Sequence, residues 1–103
     1  MGDGGTIVDT GFAYAEGEPV LVSIRERGRR YDLRDDGRAV ELAGAPTGWR
    51  EAAADAVDAF DLNLTRTGVV HVPAVEGGVS RDWLVRRVAE ASLAVYDALL
   101  ELE

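Results

Sequence analysis

The chain contains no cysteine and no lysine. Without a thiol there are no disulfides, thiolate zinc sites, iron–sulfur ligation or cysteine nucleophiles. Without a lysine amine there is no Schiff-base chemistry and no phosphate-gripping P-loop lysine. His71 is the only imidazole, and one imidazole without a thiol holds zinc only with the help of several carboxylates. Long hydrophobic runs are missing too: no stretch approaches the roughly 18–20 apolar residues of a membrane span. Met1-Gly2-Asp3-Gly4-Gly5 has neither the basic start nor the apolar stretch of a signal peptide. These absences lead to the expectation of a small soluble, cytoplasmic protein with no membrane association and no bound cofactor.

What is present suits one compact core. The 103 residues weigh 11.0 kDa, enough for a single hydrophobic centre and too few for two. The expected organisation is a disordered Gly-rich tail over 1–5 and one domain over 6–103. Apolar residues are 47% of the chain, a globular proportion. Nineteen acids against eleven Arg leave a net charge of −8, which works against general binding to phosphate backbones.

The charge is uneven. Residues 25–38 hold six Arg (Arg25, Arg27, Arg29, Arg30, Arg34, Arg38) against four acids, while residues 1–24 carry no Arg. Such a basic hairpin on an acidic body suits an acidic partner or a phosphate. It is equally readable as the solvated face of a strand pair, cross-paired with Glu26, Asp32 and Asp36.

The alternation of Val20, Val22 and Ile24 with Leu21, Ser23 and Arg25 predicts a strand from Pro19. Arg27-Gly28 makes the turn, and Tyr31 and Leu33 alternate on the return strand. Upstream, Thr6-Ile7-Val8-Asp9 starts as a strand that Thr10-Gly11 breaks, and Phe12-Ala13-Tyr14 reads as short strand or packed loop before a Glu16-Gly17-Glu18 turn. Asp35-Asp36-Gly37 stops the return strand. Residues 38–43 read either as an edge strand through Val40 and Leu42 or as one helical turn. Thr47 is placed to cap a helix over about Gly48–Phe60, with Trp49, Ala53, Ala56 and Phe60 on one stripe.

Leu62 and Leu64, a Thr67-Gly68 turn, and Val70-His71-Val72 make a second hairpin that Pro73 ends. Ser80 caps a last helix over about Arg81–Glu101. Its stripe of Leu84, Val88, Ala91, Val95, Ala98 and Leu102 is widened by Val85, Leu93, Tyr96, Leu99 and Leu100. So wide a face implies burial on two sides, by a sheet and by something else. The order predicts an α+β fold: a two-layer sandwich with an antiparallel sheet of about five strands and two helices on one face.

The run from Gly17 to Leu102 resembles the family catalogued as domain of unknown function 1828. The carrying residues are Pro19-Val20-Leu21-Val22-Ser23-Ile24 and Tyr31-Asp32-Leu33-Arg34-Asp35-Asp36-Gly37. The first helix, Phe60-Asp61-Leu62-Asn63-Leu64, the Gly68-Val69-Val70-His71-Val72 strand and the long final helix follow. That family usually has Ser or Thr where this chain has Arg34. The resemblance implies a fold and no activity, because the family's function is unassigned. A looser likeness, in element order alone, is to type III secretion chaperones, which build similar elements into dimers and bind partner segments; fold does not fix function.

Three clusters invite chemistry. Asp32, Asp35 and Asp36, near Glu41, offer hard oxygen ligands for Mg²⁺ or Ca²⁺ or a general base, but Asp-Asp-Gly is also ordinary turn chemistry without the spacing of a calcium loop. His71 lacks a serine in a nucleophile elbow, since Ser23, Ser80 and Ser92 all sit elsewhere. Gly77-Gly78-Val79-Ser80-Arg81 leads into a helix start that attracts anions, yet it has neither P-loop nor dinucleotide spacing. Trp83, near the polar line of Arg87, Glu90, Asp97 and Glu101, reads as a rim packer or as an interface aromatic.

The expected function is a non-enzymatic protein-binding or self-assembly module, with a protein partner or homo-oligomer formed through the last helix. Its contact residues would be Trp83, Val85, Leu93, Tyr96 and Leu100, with Arg27, Arg29 and Arg30 secondary. The alternatives are a metal- or phosphate-binding small enzyme using Asp32, Asp35 and Asp36, or an acidic nucleic-acid mimic.

Overall fold

The structure, a computed structural model, describes residues 4–15 and 17–102. Period-two alternation builds the first three strands, β1 (Gly4–Ala13), β2 (Pro19–Arg27) and β3 (Arg30–Arg34). Val20, Val22, Ile24, Tyr31 and Leu33 all point to one side and are buried. After the Asp35-Asp36-Gly37 turn comes α1 (Arg38–Leu42), then α2 (Trp49–Asp58), the two-residue β4 (Asn63–Leu64), β5 (Val70–Val75) and α3 (Arg81–Leu100). The sheet is antiparallel throughout, in the order β1-β2-β3-β5-β4. The α+β sandwich is as expected, with a third, short helix added.

Local departures from the expected elements have physical causes. Residues 38–42 are helical because Ala39 and Val40 turn inward against α3 while Arg38 and Glu41 stay outside. Thr47 does not cap α2; Gly48, at φ 84°, takes that position with no side-chain bond. Thr10-Gly11 bends β1 without ending it. Gly11 adopts φ 83°, Asp9 Oδ1 accepts its N–H at 3.0 Å, and the register slips between Asp9 and Ala13 as a bulge.

Pro73 lies inside β5 instead of closing it. Asp35 N donates to Val70 O and Glu76 N to Arg29 O, so the even positions of β5 bond to β3. Pro73 therefore faces the other side, beyond the end of β4, where no ladder bond is lost. Of the expected disordered tail, Gly4 and Gly5 pair with Glu26 and Arg25 in the sheet, while residues 1–3 lie outside the described residues. Glu16 of the expected Glu16-Gly17-Glu18 turn lies outside them as well.

Helix α3 decides the packing. It is capped by Ser80, whose hydroxyl accepts from Trp83 N, and it crosses β1, β2, β3 and β5 on the core side. Helices α1 and α2 pack against the adjoining side of the same apolar face. The wide apolar face is thus sandwiched within the chain: Val85, Tyr96 and Leu99 are buried along with Leu84, Val88 and Val95. Each such burial is worth about 1.5–3 kcal/mol relative to exposure, so the stripe is the main hydrophobic asset of the fold. Gly68, at φ 92°, closes the turn before β5 where a Cβ would come within 3.0 Å of Val40 Cγ2 and 3.2 Å of Trp49 Cζ3.

Candidate functional site

The helices cover only one side of the sheet, so the residues that alternate with the core strands form an open face. The register arranges them in rows across the strands. One row runs Gly5, Arg25, Asp32, Pro73; the next runs Ile7, Ser23, Arg34, His71, Asn63; Arg27 and Arg30 sit opposite each other at the hairpin end beside Val75. Four Arg and the single His therefore share one surface of a protein with a net charge of −8. A hollow of about 670 Å³ lies over it, lined by Gly5, Arg25, Arg27, Arg30, Asp32, His71 and Pro73 among others.

Two carboxylates line the hollow: Glu26, which turns to Arg81, and, on these rows, Asp32. Its Oδ1 lies 3.2 Å from His71 Nδ1 and its Oδ2 lies 3.4 Å from Arg34 Nε. The Arg34 contact lacks hydrogen-bond alignment, and that buried Nε–H has no hydrogen-bond partner among the described residues. Arg25, Arg27, Arg29 and Arg30 have no carboxylate within ion-pair distance among the described residues. Like charges placed directly opposite, as Arg27 and Arg30 are, repel unless an anion lies between them.

The expected cross-pairing of the hairpin arginines is only partly present. Glu26 pairs instead with Arg81 at 3.0 Å, whose guanidinium also lies 4.7 Å from the Tyr31 ring centre. Asp36 accepts from the Ser23 hydroxyl. Arg38 is held by Glu18 and Glu41, and its guanidinium keeps the Glu18 carboxyl below the usual carboxylate range.

The last-helix candidates separate into two groups. Val85 and Tyr96 belong to the core of a single chain and are not available to a partner, because α1, α2 and the sheet enclose them; Leu93 is half-buried. Trp83 and Leu100 remain outside, Trp83 half exposed at 51%. Arg87 stacks 5.2 Å from the Trp83 ring and 5.1 Å from Phe60, while donating to Phe60 O at 2.7 Å just past the end of α2. Arg27, Arg29 and Arg30 are all exposed, Arg29 in the turn and the other two on the open face.

The three clustered aspartates do not converge. Asp32 lies on the open face, Asp36 at its margin, and Asp35 points into the core at 2% exposure. Among the described residues no three His, Asp or Glu side chains stand close enough to share a metal ion. His71 and Ser23 are separated in their row by Arg34, so the face assembles no Ser–His–Asp set. Arg81, the positive charge at the end of the Gly77-Gly78 loop, is committed to Glu26.

Asp35 is instead the hub of a buried polar network. Its Oδ1 accepts from Gly37 N and Val70 N, each at 2.8 Å, and its Oδ2 accepts from Ser92 Oγ at 2.8 Å. Ser92 has one proton and gives it to Asp35, so the Tyr14 hydroxyl must donate to Ser92 across 2.7 Å. Burial pushes the Asp35 carboxyl up, opposed by the Gly37 N–H, the Ser92 hydroxyl and the Val70 N–H. Burial likewise pushes the Tyr14 hydroxyl up to about 12. The network ties the β1–β2 connection, the β3–α1 turn, the start of β5 and α3 together.

Neither Tyr14 nor Ser92 stood out in the sequence. A serine on the apolar stripe of α3, between Ala91 and Val95, was the available signal for Ser92.

Comparison with protein-family models, curated proteins and solved structures found no match. The family resemblance read from the sequence thus gains no support from a family model. Among the described residues no helix is long and apolar enough to cross a membrane.

Proposed function

We propose that the chain is a non-enzymatic binding module whose working surface is the open sheet face, and that its partner is a protein presenting a carboxylate-rich segment. One observation carries this reading: Arg25, Arg27 and Arg30 line the uncovered hollow without a carboxylate of their own among the described residues, on a chain that has acids to spare. Planar guanidinium groups pair with carboxylates through two parallel hydrogen bonds, and a local patch is felt because charge is screened within about 8 Å in physiological salt.

A nucleic-acid partner fits less well. Among the described residues the face exposes no Trp, Tyr or Phe on which bases would stack, because Tyr31, which also lines the hollow, is buried. The last helix, favoured on sequence alone, keeps only Trp83 and the Leu100 end as outward apolar surface.

The test is fluorescence anisotropy of a labelled oligoglutamate peptide titrated with the full chain, beside a single-stranded oligonucleotide of equal charge. The expected result is peptide binding that weakens with salt and falls at least about tenfold, ~1.4 kcal/mol, in the Arg27→Ser/Arg30→Ser variant. Tighter binding of the oligonucleotide, or peptide binding indifferent to those arginines, would overturn the reading.

A further inference from the structure

The two edges of the sheet are unlike. At one end β4 is two residues long, the usual way of blunting an edge. At the other, β1 runs for ten residues, without Pro, Lys or Arg, and its single charge is Asp9. Ile7, in the middle of its flat part, is 68% exposed.

The direction of the free backbone groups follows from the ladder. Asp35 N donates to Val70 O and Glu76 N to Arg29 O, so odd positions of β3 and its flanks bond toward β5. Strict alternation then turns the even positions of β3 toward β2, the odd positions of β2 toward β3, and the even positions of β2 toward β1. Those even positions pair with Gly4, Thr6 and Val8. The N–H and C=O groups of Gly5, Ile7 and Asp9 therefore point outward, and the bulge after Asp9 ends the flat template there.

We infer that a second copy of this chain occupies this edge, antiparallel about a two-fold axis through Ile7, so that two sheets become one. In that register Ile7 meets Ile7 of the second copy, and Gly5 stands opposite Asp9 of the second copy in both directions. All the outward groups of the template are used, in about six main-chain hydrogen bonds.

Charge complementarity selects the register. Gly5 is paired with Arg25 on the open face and has no side chain to fill the space between. Asp9 of the second copy then lies two strands, about 9.6 Å, from Arg25, a span that an extended Arg and an Asp close between them across the bare glycine. The symmetry makes this ion pair twice. Arg25 otherwise has no carboxylate within ion-pair distance among the described residues. The pairing engages Arg25 and leaves Arg27 and Arg30 of the hollow to the proposed partner, and it joins the faces of the two copies into one continuous surface of ten strands.

Size-exclusion chromatography with light scattering tests it on the full chain, with backbone amide exchange by NMR as the second readout. A dimer of about 22 kDa, twice the 11.0 kDa chain, is expected to populate with rising concentration, because an interface this small belongs to the weak, micromolar class. The amides of Ile7 and Asp9 should gain protection in the dimer, while those of Thr6 and Val8, already bonded to β2, should not change.

Ile7→Pro removes an outward donor and leaves the β1–β2 ladder intact. It should weaken association at least tenfold while the amides of Thr6 and Val8 stay protected. Asp9→Arg should weaken it similarly, and combining it with Arg25→Asp should restore it. A chain that stays monomeric across the concentration series, or a dimer indifferent to Ile7→Pro, or failure of the charge exchange to restore association would each overturn the inference.

Discussion

Removing the Asp35 carboxylate is the sharpest perturbation of this fold, because three donors depend on it, two of them buried and one half-buried. Asp35→Ala leaves Gly37 N–H, Val70 N–H and the Ser92 hydroxyl without their acceptor. An unsatisfied buried donor costs about 1–3 kcal/mol. A water entering the vacated space recovers part of that, so the net loss is about 3–6 kcal/mol. Small domains have only ~5–15 kcal/mol to lose, and the variant should be largely unfolded near physiological temperature.

Asp35→Asn separates geometry from charge. Its carbonyl oxygen keeps Gly37 and Val70, but its amide now donates to Ser92 and reverses the hydroxyl chain. The Ser92 proton turns to Tyr14, and the Tyr14 proton is left without an acceptor. One orphaned donor costs about 1–3 kcal/mol. Urea unfolding followed by the fluorescence of Trp49 and Trp83 measures both, provided that the slope with denaturant is unchanged. A loss below about 1 kcal/mol for Asp35→Ala, or equal losses for the two variants, would refute the assignment of Asp35 as hub.

Two further outcomes are expected. Tyr14 ionises at about 12 in the fold against the ordinary 10.0. The native state thus holds a proton that the unfolded state has lost, and stability present below pH 10.0 should fall as pH rises toward 12; Tyr14→Phe should abolish that decline at a cost of about 1 kcal/mol near neutrality, checked by unfolding both proteins on either side of pH 10.0. On α3, Leu99→Ala, at a site with 0% exposure, should cost about 2–5 kcal/mol and Trp83→Ala less than about 1 kcal/mol; the reverse order in thermal melts would mean that the helix faces the other way.

The proposed binding surface was half legible in the chain. Alternation alone puts Arg25 and Arg27 on the face opposite Val22 and Ile24, and Arg30 and Arg34 on the face opposite Tyr31 and Leu33. It cannot place His71 beside Arg34, or Gly5 beside Arg25, because those neighbours are set by pairing register across strands far apart in sequence. The breadth of the α3 stripe was also legible, and it correctly announced a second layer. The identity of that layer was not, since a helix reads the same whether its outer flank meets a partner or the α1 and α2 of its own chain.

The residue pattern alone therefore sets the periods: strands where apolar residues alternate, helices where they recur every three or four, turns at Asp-Asp-Gly and Thr-Gly. Periodicity is a property of neighbours along the backbone. Burial belongs to neighbours in space. Folding turned Val85 and Tyr96 from apparent contact residues into core, made Asp35 a hub instead of a turn residue or ligand, and left the arginines facing outward. Each outcome depended on which surfaces meet when the helices close over one side of the sheet and leave the other bare.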